Sequence, residues 1–157
     1  MQTVQCDLCA EALRVSGRLF LRVFGGSMLP SVWPGDILVI DRAEIARIRP
    51  GDLVLCARPG GFMVHRAILN GRDALITRGD AHGADDPPVS PAQVLGRVVA
   101  IRRGRTRFTP RRTLSRTQKL LSFLIFRFAR FKTLLLRLNA LRLRFGRSQI
   151  GRETALA

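Results

Sequence analysis

Gly26-Ser27-Met28-Leu29-Pro30, followed by Gly35-Asp36, sets a serine in a sharp turn led by glycine. Such a turn projects the hydroxyl and leaves backbone N–H groups free to face an oxyanion. On its own, a serine between Gly and Pro is an ordinary turn residue. A serine nucleophile needs an adjacent base, and the base needs a group that orients it. The chain has two histidines. His65 lies inside the apolar run Phe62 to Leu69. His82 lies in the segment Thr77 to Asp86, which concentrates Asp80, Asp85 and Asp86. Taken singly, His65 reads as a core histidine and His82 as a solvated one in an acidic loop. Together with Ser27 they supply the parts of acyl-transfer chemistry. Met28 reads as an apolar anchor of the turn, and Asp36 as a carboxylate bonding N–H groups of its own turn.

Something must hold these parts together, and the pattern points to short strands. Residues 7–16 fit a short helix ended by Gly17. Arg18 to Phe24 alternates polar and apolar, as a half-buried strand does. Ile37 to Ile40, Leu53 to Leu55, Phe62 to Leu69, Ala74 to Thr77 and Val94 to Ile101 are further strand candidates, each set off by Gly, Pro or Asp. Asn70-Gly71 is a two-residue hairpin signal. Residues 79–91 hold three Pro, two Gly and three Asp, and read as a loop. Six short strands with little helix predict a compact, mainly β core over residues 18–108, with 1–17 as a short leading segment.

The chain has 157 residues, room for one domain and an appendage. With 46% apolar residues it can bury a core, which excludes disorder throughout. The formal charge of +16 is unevenly spread. Residues 1–100 hold 11 Arg against 10 acids; residues 101–157 hold 14 Arg and two Lys against Glu153 alone. Any anionic partner therefore belongs to residues 109–157. Three cysteines make no disulfide framework. Cys6-x-x-Cys9 lacks the second ligand pair of a zinc site, and Cys56 sits in an apolar run and reads as core. No secretory-signal pattern and no uncharged run of 18 apolar residues is present.

The blocks Ser27-Met28-Leu29-Pro30 with Gly35-Asp36, Gly51-Asp52, Val64-His65-Arg66, Thr77-Arg78-Gly79-Asp80 and Asp85-Asp86-Pro87 resemble, in this order, the signal peptidase I family. That family shares a β-rich catalytic fold with the LexA-type self-cleaving repressors. The resemblance covers about residues 18–101. Most bacterial members and the LexA type use a Ser–Lys dyad, whereas the archaeal and endoplasmic-reticulum type has His at the base position and an Asp in the later block. The only lysines here are Lys119 and Lys132, so no Ser–Lys dyad can form in the β core. The resemblance thus implies Ser27 as nucleophile, His65 as general base and Asp86 as the orienting acid. Asp80 is the alternative acid or a loop-positioning residue, and Asp85 a third candidate. No metal or organic cofactor is implied. Two features depart from the pattern. Gly25 stands where the archaeal and reticulum type has a hydroxyl residue, and the 26 residues before Ser27 are too charged to form the usual membrane helix.

Thr113 to Phe145 is rich in Leu and Phe, without Gly or Pro. At 100° per residue, Arg116, Lys119, Arg127, Arg130, Arg137 and Arg144 share one stripe, with Lys132 and Arg142 off it. A basic helix with a wide apolar face predicts peripheral attachment to a membrane through residues 113–145, on the cytoplasmic face of the inner membrane by default. Packing on the core is the second reading, and nucleic acid is disfavoured because a solvated arm needs few Leu. Removing the tail near Arg111 is expected to leave the β domain intact. The functional expectation is a serine endopeptidase of signal peptidase type acting on peptides or proteins with a leader sequence. The rival is a non-catalytic or self-processing LexA-like regulatory domain whose tail binds nucleic acid or a partner. Oligomeric state is left open.

Overall fold

The computed structural model describes residues 2–59, 61–71 and 73–153, with the side chains of 2–7, 129–130 and 144–153 left out of the description. Cys6, Arg130 and Arg144 thus lie outside the described side chains, and Gly60 outside the described residues.

The chain runs α1 (Gln2–Ser16), β1 (Arg18–Arg22), β2 (Ile37–Arg42), β3 (Leu53–Arg58), β4 (Gly61–Asn70), β5 (Leu75–Arg78), β6 (Val94–Arg103), β7 (Thr106–Phe108), α2 (Arg116–Arg127) and α3 (Ala129–Glu153). The strands form one antiparallel sheet in the order β1-β2-β6-β3-β4-β5, with β7 added to β6. The mainly β class with a C-terminal helical part is as the sequence predicts. Short β-branched and apolar runs between Gly and Pro turns cannot reach helical length, and each closes against its neighbour instead.

Details differ in instructive ways. The expected strand to Phe24 stops at Arg22, because Val23 leaves the ladder to exchange backbone bonds with Gly35 and Asp36. β7 was not expected: Thr106–Phe108 is only three residues long, below the length at which alternation registers. The β4–β5 connection occupies residues 71–74 rather than two residues. The Asn70 amide is taken by the carbonyls of Ile45 and Ile48, both at 2.8 Å, and Asn70 itself pairs with Leu75. The helix expected over 113–145 is two helices. Ser115 and Gln118 form a capping box at the start of α2, and Phe128 is extended between α2 and α3. No helix of the described residues is long and apolar enough to cross a membrane.

Leu38, Ile40, Leu53, Leu55, Val98 and Ile101 form the main core, sealed at one end by Leu13 of α1 and by Met28 and Val32. A second cluster gathers Val54, Cys56, Ala67, Leu75 and Val89. A third joins the serine turn to the C-terminal helices. Leu29 and Ala81 bury against Ile125, with Trp33, Leu121, Phe131, Leu135 and Leu136 around them. The C-terminal helices therefore pack on the β domain. Part of their apolar face covers the two segments that carry the candidate chemistry.

Candidate active site

The candidate residues converge from three segments. Ser27 sits in the turn after Gly25-Gly26, half-buried. It lies at one end of a cleft of about 310 Å³, lined by Leu21 to Gly25 on one side and Phe62 to Val64 on the other. His65 follows those β4 residues directly. It is 4% exposed, paired across the ladder with Val54. The acidic loop 79–86 is the third segment and packs against the serine turn. Its anchor is the Ala81 N–H, which donates to the Ser27 carbonyl at 2.9 Å, so the loop is bonded to the serine turn itself.

Of the three carboxylates, Asp86 stands at the histidine. Its Oδ2 lies 2.6 Å from Nδ1 of His65 and also accepts from the Thr77 hydroxyl at 2.7 Å. With Nδ1–H donated to Asp86, Nε2 of His65 keeps its lone pair and faces Gly79 and the serine turn. A first side-chain carbon at residue 79 would stand 3.1 Å from Nε2 of His65, 3.0 Å from Nδ1 of His82 and 2.8 Å from the Ser27 carbonyl oxygen. Only glycine leaves that crossing open. Among the described residues the Ser27 hydroxyl makes no hydrogen bond, to His65 or any other group. Bonds between nucleophile and base are often long before substrate arrives.

Asp80 does a different job. It holds Arg66 in two bonds of 2.7 Å, Nε to Oδ1 and Nη2 to Oδ2, and both side chains are buried. The remaining Arg66 donors reach the Ser31 hydroxyl and the carbonyls of Gly51, Arg111 and Arg112. One guanidinium thus ties together the serine turn, the acidic loop and the segment leading into α2. In the sequence Arg66 stands out only as a member of the Val64-His65-Arg66 block, because no spacing rule marks a buried hub of this kind. Asp85 is peripheral and pairs with exposed Arg78. Asp36 accepts from the Trp33 N–H within its own turn and from Arg103.

His82, expected to be solvated, is exposed yet meets His65 edge to face with ring centroids 5.4 Å apart. Partial burial pushes its pKa down, and the neighbouring His65 and Lys132 add to this. Burial likewise pushes the Cys56 thiol up to about 11, so it stays protonated and inert. Gly25 has nothing within 4 Å of where a side chain would begin; the missing hydroxyl is not a steric necessity. Over the loop, the Ser122 hydroxyl donates to the Asp80 carbonyl, and the Phe126 ring rests on Gly83, where a side chain would collide with it.

A buried histidine with one nitrogen on a carboxylate and the other open towards a serine turn suits general-base chemistry. Compared with known families, residues 5–99, more than half of the chain, match the family model described as Peptidase S24-like. No curated protein matches the chain.

Proposed function

Because the chain belongs to the Peptidase S24-like family, which holds peptidases and LexA-like self-cleaving regulators, we propose that it is a serine endopeptidase cutting leader-type peptides at a membrane surface. The observation that carries this reading is the 2.6 Å bond from His65 Nδ1 to Asp86, which leaves Nε2 as an acceptor beside the serine turn. Ser27 Oγ attacks the scissile carbonyl carbon while its proton passes to Nε2 of His65. Asp86 holds the imidazole in the required tautomer and stabilises the imidazolium. The free N–H groups of the serine turn receive the oxyanion. The imidazolium then protonates the leaving amine, and water, activated by the same base, hydrolyses the Ser27 ester.

The cleft supports the substrate class. β1 is an edge strand, so an extended peptide can add to it through main-chain bonds. Side chains preceding the cut would enter the apolar space between Val23 and Val64. About 310 Å³ suits small residues.

The membrane part rests on the outer surface of α2 and α3. Leu120, Phe123, Leu134, Leu138 and Leu141 are about half exposed or more, at i, i+3 and i+4 spacings. The basic residues Arg116, Lys119, Arg127, Arg137 and Arg142 accompany them, with Glu153 the only acid. An apolar stripe flanked by one sign of charge fits an anionic bilayer surface. Incubation of full-length protein with a leader peptide, wild type against Ser27→Ala, read by mass spectrometry, tests the chemistry. Flotation with anionic vesicles, wild type against Leu120→Ser/Phe123→Ser/Leu134→Ser/Leu138→Ser, tests the surface. Cleavage by Ser27→Ala, or flotation unchanged by the four serines, overturns the corresponding half.

A further inference from the structure

The second histidine has no part in the proposed reaction, yet its placement is specific. Its own backbone N–H donates to the Gly79 carbonyl at 2.9 Å, closing a tight turn that carries the ring back over the site. The outcome is two imidazoles at right angles, with Nδ1 of His82 and Nε2 of His65 each about 3 Å from the space that Gly79 leaves empty. One donor atom from each of His65, His82 and Asp86 can be chosen so that all three lie within 4.8 Å of one another.

We propose that a divalent transition-metal ion of the zinc class binds between Nε2 of His65 and Nδ1 of His82 and reversibly blocks the peptidase. Imidazole nitrogen is a preferred donor for such ions. Asp86 already holds Nδ1–H of His65, which is the second-shell arrangement that fixes the tautomer of a ligating histidine and raises its basicity. Asp86 in turn is oriented by Thr77, and its charge partly offsets that of the ion. His82 is exposed, so the ion has an entry path, and water completes the coordination. The lone pair that the ion takes on His65 is the one that must accept the Ser27 proton. Ion binding and serine activation therefore exclude each other. The inhibition, though not the binding, rests on the peptidase reading.

The experiment uses full-length protein carrying Cys6→Ser and Cys9→Ser, stripped with chelator, so that the C-x-x-C pair does not compete. Zinc chloride is titrated by calorimetry and cobalt chloride by visible absorption. One equivalent is expected. Replacing a second-shell partner of a metal ligand typically weakens binding 10–100-fold. Asp86→Asn should fall in that range, and His82→Ala, which deletes a ligand, should exceed it. Absent uptake, or uptake of equal affinity in His82→Ala, overturns the site. In parallel, a serine-directed acylating probe is followed with and without zinc. Zinc should slow labelling of Ser27 at least tenfold, and that ratio should shrink towards one in His82→Ala. Labelling that zinc does not slow overturns the inhibition. Zinc uptake through His82 in a protein whose Ser27 never labels would refute the peptidase reading while upholding the ion site.

Discussion

His65 and Arg66 are neighbours on β4, and each takes one carboxylate from the same eight-residue loop. Alternation along a strand sends the two side chains to opposite faces. On one face His65 and Asp86 form a bond whose second imidazole nitrogen is left open beside Ser27. On the other face Arg66 and Asp80 form a closed pair, with every remaining Arg66 donor that reaches a partner ending on a backbone carbonyl or on Ser31. The first pair has a proton to move. The second has none, and positions three segments of chain. Two like carboxylates six residues apart are thus separated into chemistry and architecture by which face of one strand they meet.

The contrast can be broken most directly on the chemical face. Ser27→Ala and His65→Ala should each remove peptidase turnover, Ser27→Ala with thermal melting near wild type and His65→Ala with some loss of stability because Asp86 loses its partner; robust cleavage by His65→Ala would refute the triad. Asp86→Asn keeps a polar group at Nδ1 but favours the wrong tautomer. A loss of roughly 10⁴-fold in turnover is expected, by analogy with the same change in the triad of chymotrypsin-type serine proteases. If Asp80→Asn costs more turnover per degree of melting temperature lost, the two faces have been assigned the wrong way round.

The architectural face should answer in stability. Removing one partner of a buried pair costs about 3–5 kcal/mol, because the other charge is left without compensation. For a chain of this size that is a drop of about 10 °C or more in Tm, so Asp80→Asn should melt early. Truncation near Arg111 should do likewise, since it deletes two Arg66 acceptors and uncovers Leu29 and Ala81. This stands against the expectation from sequence that the β domain survives removal of the C-terminal part, and the melt decides between them. A truncated protein that melts like the full chain would show that α2 and α3 do not support the site.

Two smaller effects sharpen the architectural side. Burial alone would raise the Asp52 carboxyl, but the Arg49 N–H and the Arg112 and Arg97 guanidinium groups hold it below the ordinary range. A depressed carboxyl contributes stability that is fully present above its unfolded pKa of about 3.9 and is lost as pH falls through the folded value. Acid melts should therefore show Asp52→Asn losing its disadvantage only below about pH 4. Cys56, with its thiol pushed up to about 11, should resist a thiol reagent at pH 8 until the protein is unfolded; rapid native labelling of Cys56 would contradict the burial of the second core cluster.

The strands, the serine turn, the two histidines and the group of carboxylates were legible because they depend on local order. Alternation, Gly and Pro punctuation and short-range spacing act over a few residues, and Leu53 to Leu55 or Val94 to Ile101 can hardly do anything but pair. The start of α2 also carries a local signal, since Ser115-x-x-Gln118 is a capping box just inside the expected helix, whereas the break at Phe128 carries none.

What local order could not decide was partnership across the chain. Asp80, Asp85 and Asp86 differ little as sequence, and their roles follow from which face of β4 or β5 lies above each one. The apolar face of residues 113–145 looks uniform along the helix. Only folding divides it, sending Leu121, Ile125, Leu135 and Leu136 onto the serine turn and acidic loop while Leu120, Phe123, Leu134 and Leu138 stay outside. The same holds for His82, whose meeting with His65 arises from a turn and a strand 17 residues apart. Residue type and periodicity state what a side chain is able to do. The long-range packing that brings β4, the acidic loop and α2 together chooses the one thing it does, because distance and desolvation exist only in the assembled fold.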